Sequence, residues 1–127
     1  MLVALLLPKN RLHERATRDL EKLVTRELRV LPSVLAEAWF LLHEREQRAP
    51  LAALLAAIRV GPATEPPWER VFEWLVRYAD HEPDWVDACL VVIASGDQRI
   101  WTYDAEFRSV WRRLDGSRVP LGVSGAR

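Results

Sequence analysis

Asp84-Trp-Val-Asp-Ala-Cys-Leu-Val-Val-Ile-Ala94, followed after a short polar link by Arg99-Ile-Trp-Thr-Tyr-Asp-Ala-Glu-Phe107, is the stretch on which the fold turns. Asp84 carries the short acceptor side chain of a helix N-cap, and residues 88–94 are almost continuously apolar, so the segment predicts a deeply buried helix running to Gly96. Residues 99–103 are rich in β-branched and aromatic side chains and stop at Asp104, which predicts a strand. A strand that follows a buried helix points to an α/β architecture. Cys89 lies inside the apolar run and is the single cysteine, so it forms no intramolecular disulfide and reads as a small buried hydrophobe of a reduced, cytoplasmic protein.

Downstream, residues 105–114 predict a short helix and residues 118–121 a last edge strand, where Pro120 is tolerated; residues 122–127 read as a frayed tail. Upstream, four helices are expected. Pro67 opens one carrying Val71, Phe72, Leu75, Val76 and Ala79, and Pro50 opens another with Leu51, Leu54, Leu55 and Ile58 that ends at Gly61-Pro62. Pro32 opens a third that runs to about Gln47, with Val34, Leu35, Ala38, Leu41 and Leu42 as its core face and Glu37 bordering that stripe. Residues 12–27 form the fourth, an amphipathic helix, and Arg29-Val-Leu31 is a β-prone link. The opening Met-Leu-Val-Ala-Leu-Leu-Leu-Pro8 reads as core, being shorter than the roughly 20 residues of a membrane span and lacking a signal peptide's charged start.

With 127 residues, half of them apolar and 28% charged, the chain is expected to fold as one domain over 1–127 that buries roughly two-thirds of its unfolded surface. Eighteen basic residues balance eighteen acidic ones, which excludes a global positive field and leaves only local contacts to nucleic acid. His13, His43 and His81 lie on separate segments without metal-ligand spacing, and no serine sits in a nucleophile elbow. Of the six tryptophans, Trp39, Trp74 and Trp111 read as packing residues, Trp68 and Trp101 as surface ones. The carboxylates are more informative. Glu37, Asp87 and Asp104 come from three separate elements, and hard oxygen ligands of this type suit Mg2+ or Mn2+ together with a phosphate substrate. The plainer reading makes Asp84 and Asp87 helix-start residues that complement the macrodipole and Glu37 a helix-surface charge.

The Asp87-Ala88 pair opening a buried helix and the Thr102-Tyr-Asp-Ala-Glu-Phe107 segment after it resemble the C-terminal half of a PIN domain, and in particular the VapC-like toxin ribonucleases. Pro32-Ser-Val-Leu-Ala-Glu-Ala38 looks like the family's helix bearing its second acidic residue, and Leu2-Val-Ala-Leu-Leu-Leu7 with Leu12-His-Glu-Arg-Ala16 looks like its opening helix pair. The resemblance implies a helix-rich, three-layer α/β/α sandwich around a short, mainly parallel sheet. It implies further that Glu37, Asp87 and Asp104 are catalytic and hold Mg2+ or Mn2+ to hydrolyse RNA, with Asp84 and Thr102 supporting them. The family opens with a hydrophobic strand ending in an Asp, which has no counterpart ahead of Leu2 here. Either the coding start is placed too late or the chain is a truncated relative. Residues 1–6 are then expected to enter the vacant central strand position or to stay helical and leave the sheet interrupted.

The function so implied is a metal-dependent endoribonuclease of toxin-antitoxin type; the alternative is a catalytically impaired relative that pairs with itself or an antitoxin. The chain as written is expected to bind a divalent cation weakly and to cleave RNA little or not at all. Lys9, Arg11, Arg15, Arg108, Arg112 and Arg113 flank the acidic ends and are the candidate RNA contacts. A homodimer and an antitoxin partner come from the resemblance alone, and no membrane association is expected.

Overall fold

Proline decides where the first helix stops. In a computed structural model that describes residues 1–122, α1 spans Leu2–Leu6 and ends at Leu7, whose extended backbone (φ −105°, ψ 102°) is what the residue before Pro8 prefers. The helical outcome for residues 1–6 is therefore the one observed. Contacts divide the chain into two compact units, Met1–Thr64 and Glu65–Arg127.

In the first unit, the Asn10 side chain accepts the amide of Leu12 at 2.9 Å and turns the chain into α2, His13–Leu23. Nδ1 of His13 lies 2.7 Å from the carbonyl oxygen of Ala4, tying α2 to α1. Ala16 is fully buried, and Glu14, Arg18, Glu21 and Lys22 of the same helix are exposed. β1 (Arg29–Val30) leads into α3 (Pro32–Leu41), α4 (Arg45–Arg48) and α5 (Pro50–Ala57), and the chain returns as β2 (Gly61–Pro62) parallel to β1. Gly61 and Ala63 donate to the carbonyls of Leu28 and Val30, both at 2.9 Å, so Pro62 falls at the register position whose missing N–H is not needed. Leu2, Ala38, Leu42 and Leu51 form the core of this unit.

The helix expected over 32–47 is broken at Leu42. Glu44 starts α4 with a capping box, its side chain accepting the Gln47 amide while the Gln47 side chain accepts the Glu44 amide at 3.2 Å. The helix from Pro50 ends before Gly61, because Arg59 adopts a left-handed conformation (φ 54°). Its amide then reaches the Ala56 carbonyl and that of Val60 the Leu55 carbonyl, a Schellman closure.

The second unit is built on α6 (Trp68–Arg77), a short 3-10 turn (Ala79–His81) and α7 (Trp85–Ile93), with α6 packed on α7. Val71, Trp74, Ala88, Cys89 and Val91 are buried, each large apolar side chain contributing roughly 1.5–3 kcal/mol. Trp74 donates from Nε1 to the Arg112 carbonyl at 2.8 Å, and its ring lies 5.1 Å from that of Trp111. The strand expected over 99–103 is reduced to Ile100, which makes an isolated parallel bridge to Leu121. Local side-chain bonds win here: Thr102 Oγ1 accepts the Asp104 amide at 3.1 Å and Asp104 Oδ1 accepts that of Glu106 at 2.9 Å, turning the chain into α8 (Glu106–Ser109). The helix expected to reach Leu114 stops at Ser109, and the last expected strand is represented by the Leu121 bridge and an antiparallel bridge from Arg118 to Arg112. Gly122, placed in the frayed tail, donates to the Ile100 carbonyl at 2.8 Å; the remainder of that tail, 123–127, lies outside the described residues. The observed class is helix-rich α/β with a short parallel sheet, as the sequence predicts.

Candidate functional site

Asp87 occupies the third position of α7 because Asp84 caps that helix. Oδ1 of Asp84 accepts the Asp87 amide at 2.8 Å, and Oδ2 of Asp87 faces the Asp84 amide at 3.4 Å. The pair fixes the Asp87 rotamer at a helix N-terminus, where a negative charge is stabilised. Both readings of Asp84 and Asp87 thus meet at one place, since capping commits one oxygen of each carboxylate to the backbone. Asp104 is exposed, and Thr102 steadies its amide. Glu37 is an exposed residue of α3 in the first unit. Burial pushes the pKa of the Met1 amino group below its usual 8.0, and the nearby Glu37 carboxylate opposes that shift.

The donor chemistry of Glu37, Asp87 and Asp104 suits a hard divalent cation, which needs only one or two carboxylates beside water. Among the described residues, however, no three His, Cys, Asp or Glu side chains gather as a metal-holding group. The structure brings Asp84 and Asp87 together and sets Thr102 beside Asp104.

The basic residues differ among themselves. Lys9, Arg11 and Arg108 are exposed, Arg15 is half-buried, and Arg113 is half-buried beside the 115–117 turn, 3.4 Å from Ser117 Oγ. Arg112 is part of the scaffold: its amide donates to the Tyr78 hydroxyl at 3.1 Å, and its Nη1 to the carbonyls of Arg108 and Trp111. Trp39 corrects a sequence expectation. It is 51% exposed instead of packed, because α3 presents Trp39, Phe40 and Leu41 to solvent at its end. Trp101, expected at the surface, is half-buried, its Nε1 donating to the Tyr103 hydroxyl at 3.2 Å. The sequence reading also missed a cluster in which the Arg48 guanidinium lies over the Trp39 ring, 4.7 Å from its centroid. The capping pattern Glu44-x-x-Gln47 was the available signal, since a helix start there turns Arg48 back toward Trp39.

Among the described residues no helix is long and apolar enough to cross a membrane. No family model and no solved structure matches the chain. Two curated relatives do: the 23S rRNA-specific endonuclease VapC20 of Mycobacterium tuberculosis strain CDC 1551 / Oshkosh and that of strain ATCC 25618 / H37Rv. Each is 37% identical to this chain over 81 residues, a region amounting to 58% of this chain and 62% of the relative. The chain thus spans less than two thirds of the curated relatives it matches, and over that span it is similar to an RNA endonuclease of the VapC kind.

Proposed function

We propose that this chain is an endoribonuclease of the toxin-antitoxin type, a PIN-like domain that hydrolyses RNA phosphodiesters with Mg2+ or Mn2+ in the cytoplasm, forms a homodimer and is restrained by an antitoxin. The observation that carries this reading is the 37% identity over 81 residues to the VapC20 endonuclease. In the proposal Asp87, Asp104 and Glu37 present carboxylate oxygens to the cation, and Asp84 keeps Asp87 in place through their reciprocal backbone bonds. Thr102 and the Asp104–Glu106 bond fix the start of α8 and with it the direction of the Asp104 carboxylate. When bound, the cation supplies water of lowered pKa and neutralises charge developing on the scissile phosphate. Exposed Arg108 and Arg11 then contact the RNA backbone.

The test is Mg2+-dependent cleavage of RNA by the chain and by Asp87→Asn. The amide oxygen of Asn retains the capping acceptor while removing the charge, so helix α7 is kept and cleavage is expected to fall roughly 100-fold or more. A second reading, a PIN-like binding protein that pairs without cutting, draws on the finding that no three metal-ligating side chains gather among the described residues. Equal and negligible cleavage by both chains would favour it.

A further inference from the structure

Trp39, Arg45, Arg48 and Ala49 line an open depression of about 520 Å3 in the first unit, a volume in the range of ligand sites, roughly 300–1,000 Å3. Arg48 organises it. Its Nε donates to the backbone carbonyls of Trp39, at 3.1 Å, and of Leu42, and its guanidinium lies over the Trp39 ring, 4.7 Å from the centroid. A guanidinium has five N–H donors, so the Nη groups remain available in a direction that the carbonyls and the ring have already fixed. Arg45 stands one turn earlier on the same face of α4, within roughly 5–6 Å at Cβ, and both cations therefore lie within the reach of one or two phosphates. Glu46 belongs to another face of the turn, and Glu44 uses its side chain in the capping box, so neither lines the depression. Trp39 is 51% exposed, which leaves ring surface open beside the two cations. Glu37, two residues earlier on α3, points about 200° away around the helix, so it does not share this place.

An exposed indole under the oriented Arg48 guanidinium, with exposed Arg45 one turn away, matches a planar base carried on phosphates. Stacking requires a base free of a partner strand, which selects single-stranded nucleic acid over a duplex. We propose that this depression binds a single-stranded segment of RNA, one base stacking on Trp39 while the adjoining phosphates pair with Arg45 and Arg48. The inference rests on the RNA reading above and adds to it a contact that holds the strand without cutting it.

The experiment measures anisotropy of a fluorescein-labelled single-stranded RNA with the full chain carrying Asp87→Asn, in EDTA and over a range of salt, so that neither cleavage nor metal contributes. Trp39→Ala is expected to weaken binding about 5- to 20-fold, the lower part of the range for loss of one stacked base. Arg45→Gln, at an exposed position, should weaken it several-fold and reduce the log–log salt slope by about 0.7, the value for one lost contact to a single strand. The same RNA annealed to its complement should bind with no dependence on Trp39. Unchanged affinity and slope in both variants overturn the proposal, and so does competition by AMP as effective as that by the oligonucleotide, which would assign the site to a free nucleotide. A parent chain that binds no single-stranded RNA overturns it too; the nuclease reading is then judged separately, by cleavage with and without Asp87→Asn.

Discussion

The Asp115 carboxylate accepts hydrogen bonds from both the hydroxyl and the amide of Ser117, and these, led by the hydroxyl, hold its pKa below the ordinary 3.8. A carboxyl whose pKa is lower in the folded chain than in the unfolded one contributes stability above the unfolded value, and that contribution disappears as pH falls through the folded value. The gap in urea midpoint between the parent and Ser117→Ala is therefore expected to be widest at neutral pH and to narrow as pH falls below 3.8. A gap independent of pH would contradict it. Single residues differ in how much of this the sequence discloses. Asp84 was legible as a cap because its partner is three residues away. Trp39 was not, because its environment is set by Arg48, nine residues on, after a helix break that hydrophobic spacing does not register.

At the scale of elements, α5 ends on Arg59 in a left-handed conformation that glycine adopts without penalty and other residues at a cost of roughly 1–2 kcal/mol. Arg59→Gly is accordingly expected to raise the unfolding free energy by about 0.5–1 kcal/mol, part of the relief being offset by the greater backbone freedom of unfolded glycine. Chemical denaturation decides it, and a loss of stability would mean that the arginine side chain holds a contact of greater worth. Helix starts marked by proline or Asp were legible, since Pro32, Pro50, Pro67 and Asp84 each open or immediately precede a helix as their chemistry requires. Helix ends and short strands were less so. Residues 99–103 have strand-type side chains, yet the hydroxyl of Thr102 and the carboxylate of Asp104 capture amides that a longer ladder would use.

Across the whole molecule, equal numbers of acidic and basic residues leave little electrostatic repulsion between copies at neutral pH. The outer face of α6 adds exposed Trp68, Phe72 and Val76, and Trp85 joins them, its ring 5.3 Å from that of Phe72. Solubility is therefore expected to pass through a minimum near pH 7. Phe72→Gln should raise it while changing the unfolding free energy by less than about 1 kcal/mol, readable by turbidity together with thermal melts. An unchanged turbidity profile would show that this face is not what limits solubility. The acidic residues were found in the sequence by the order of short motifs, which fixes their elements. Whether they converge depends on placing residues some fifty positions apart, and no local spacing carries that information.

The paired indoles of the second unit make it optically distinct. Trp74 and Trp111 meet nearly edge to face, 5.1 Å apart and inclined by 71°, a separation at which their electronic transitions couple. Such a pair gives a bisignate circular dichroism band that is lost when the two rings part, even while helical backbone persists. Trp111 Nε1 is buried with no hydrogen-bond partner among the described residues, so its excited state lacks the polar relaxation that shifts indole emission to the red. Trp39, half exposed and the single tryptophan of the first unit, emits as a solvated indole. The coupled band thus reports the packing of the second unit with no extrinsic label.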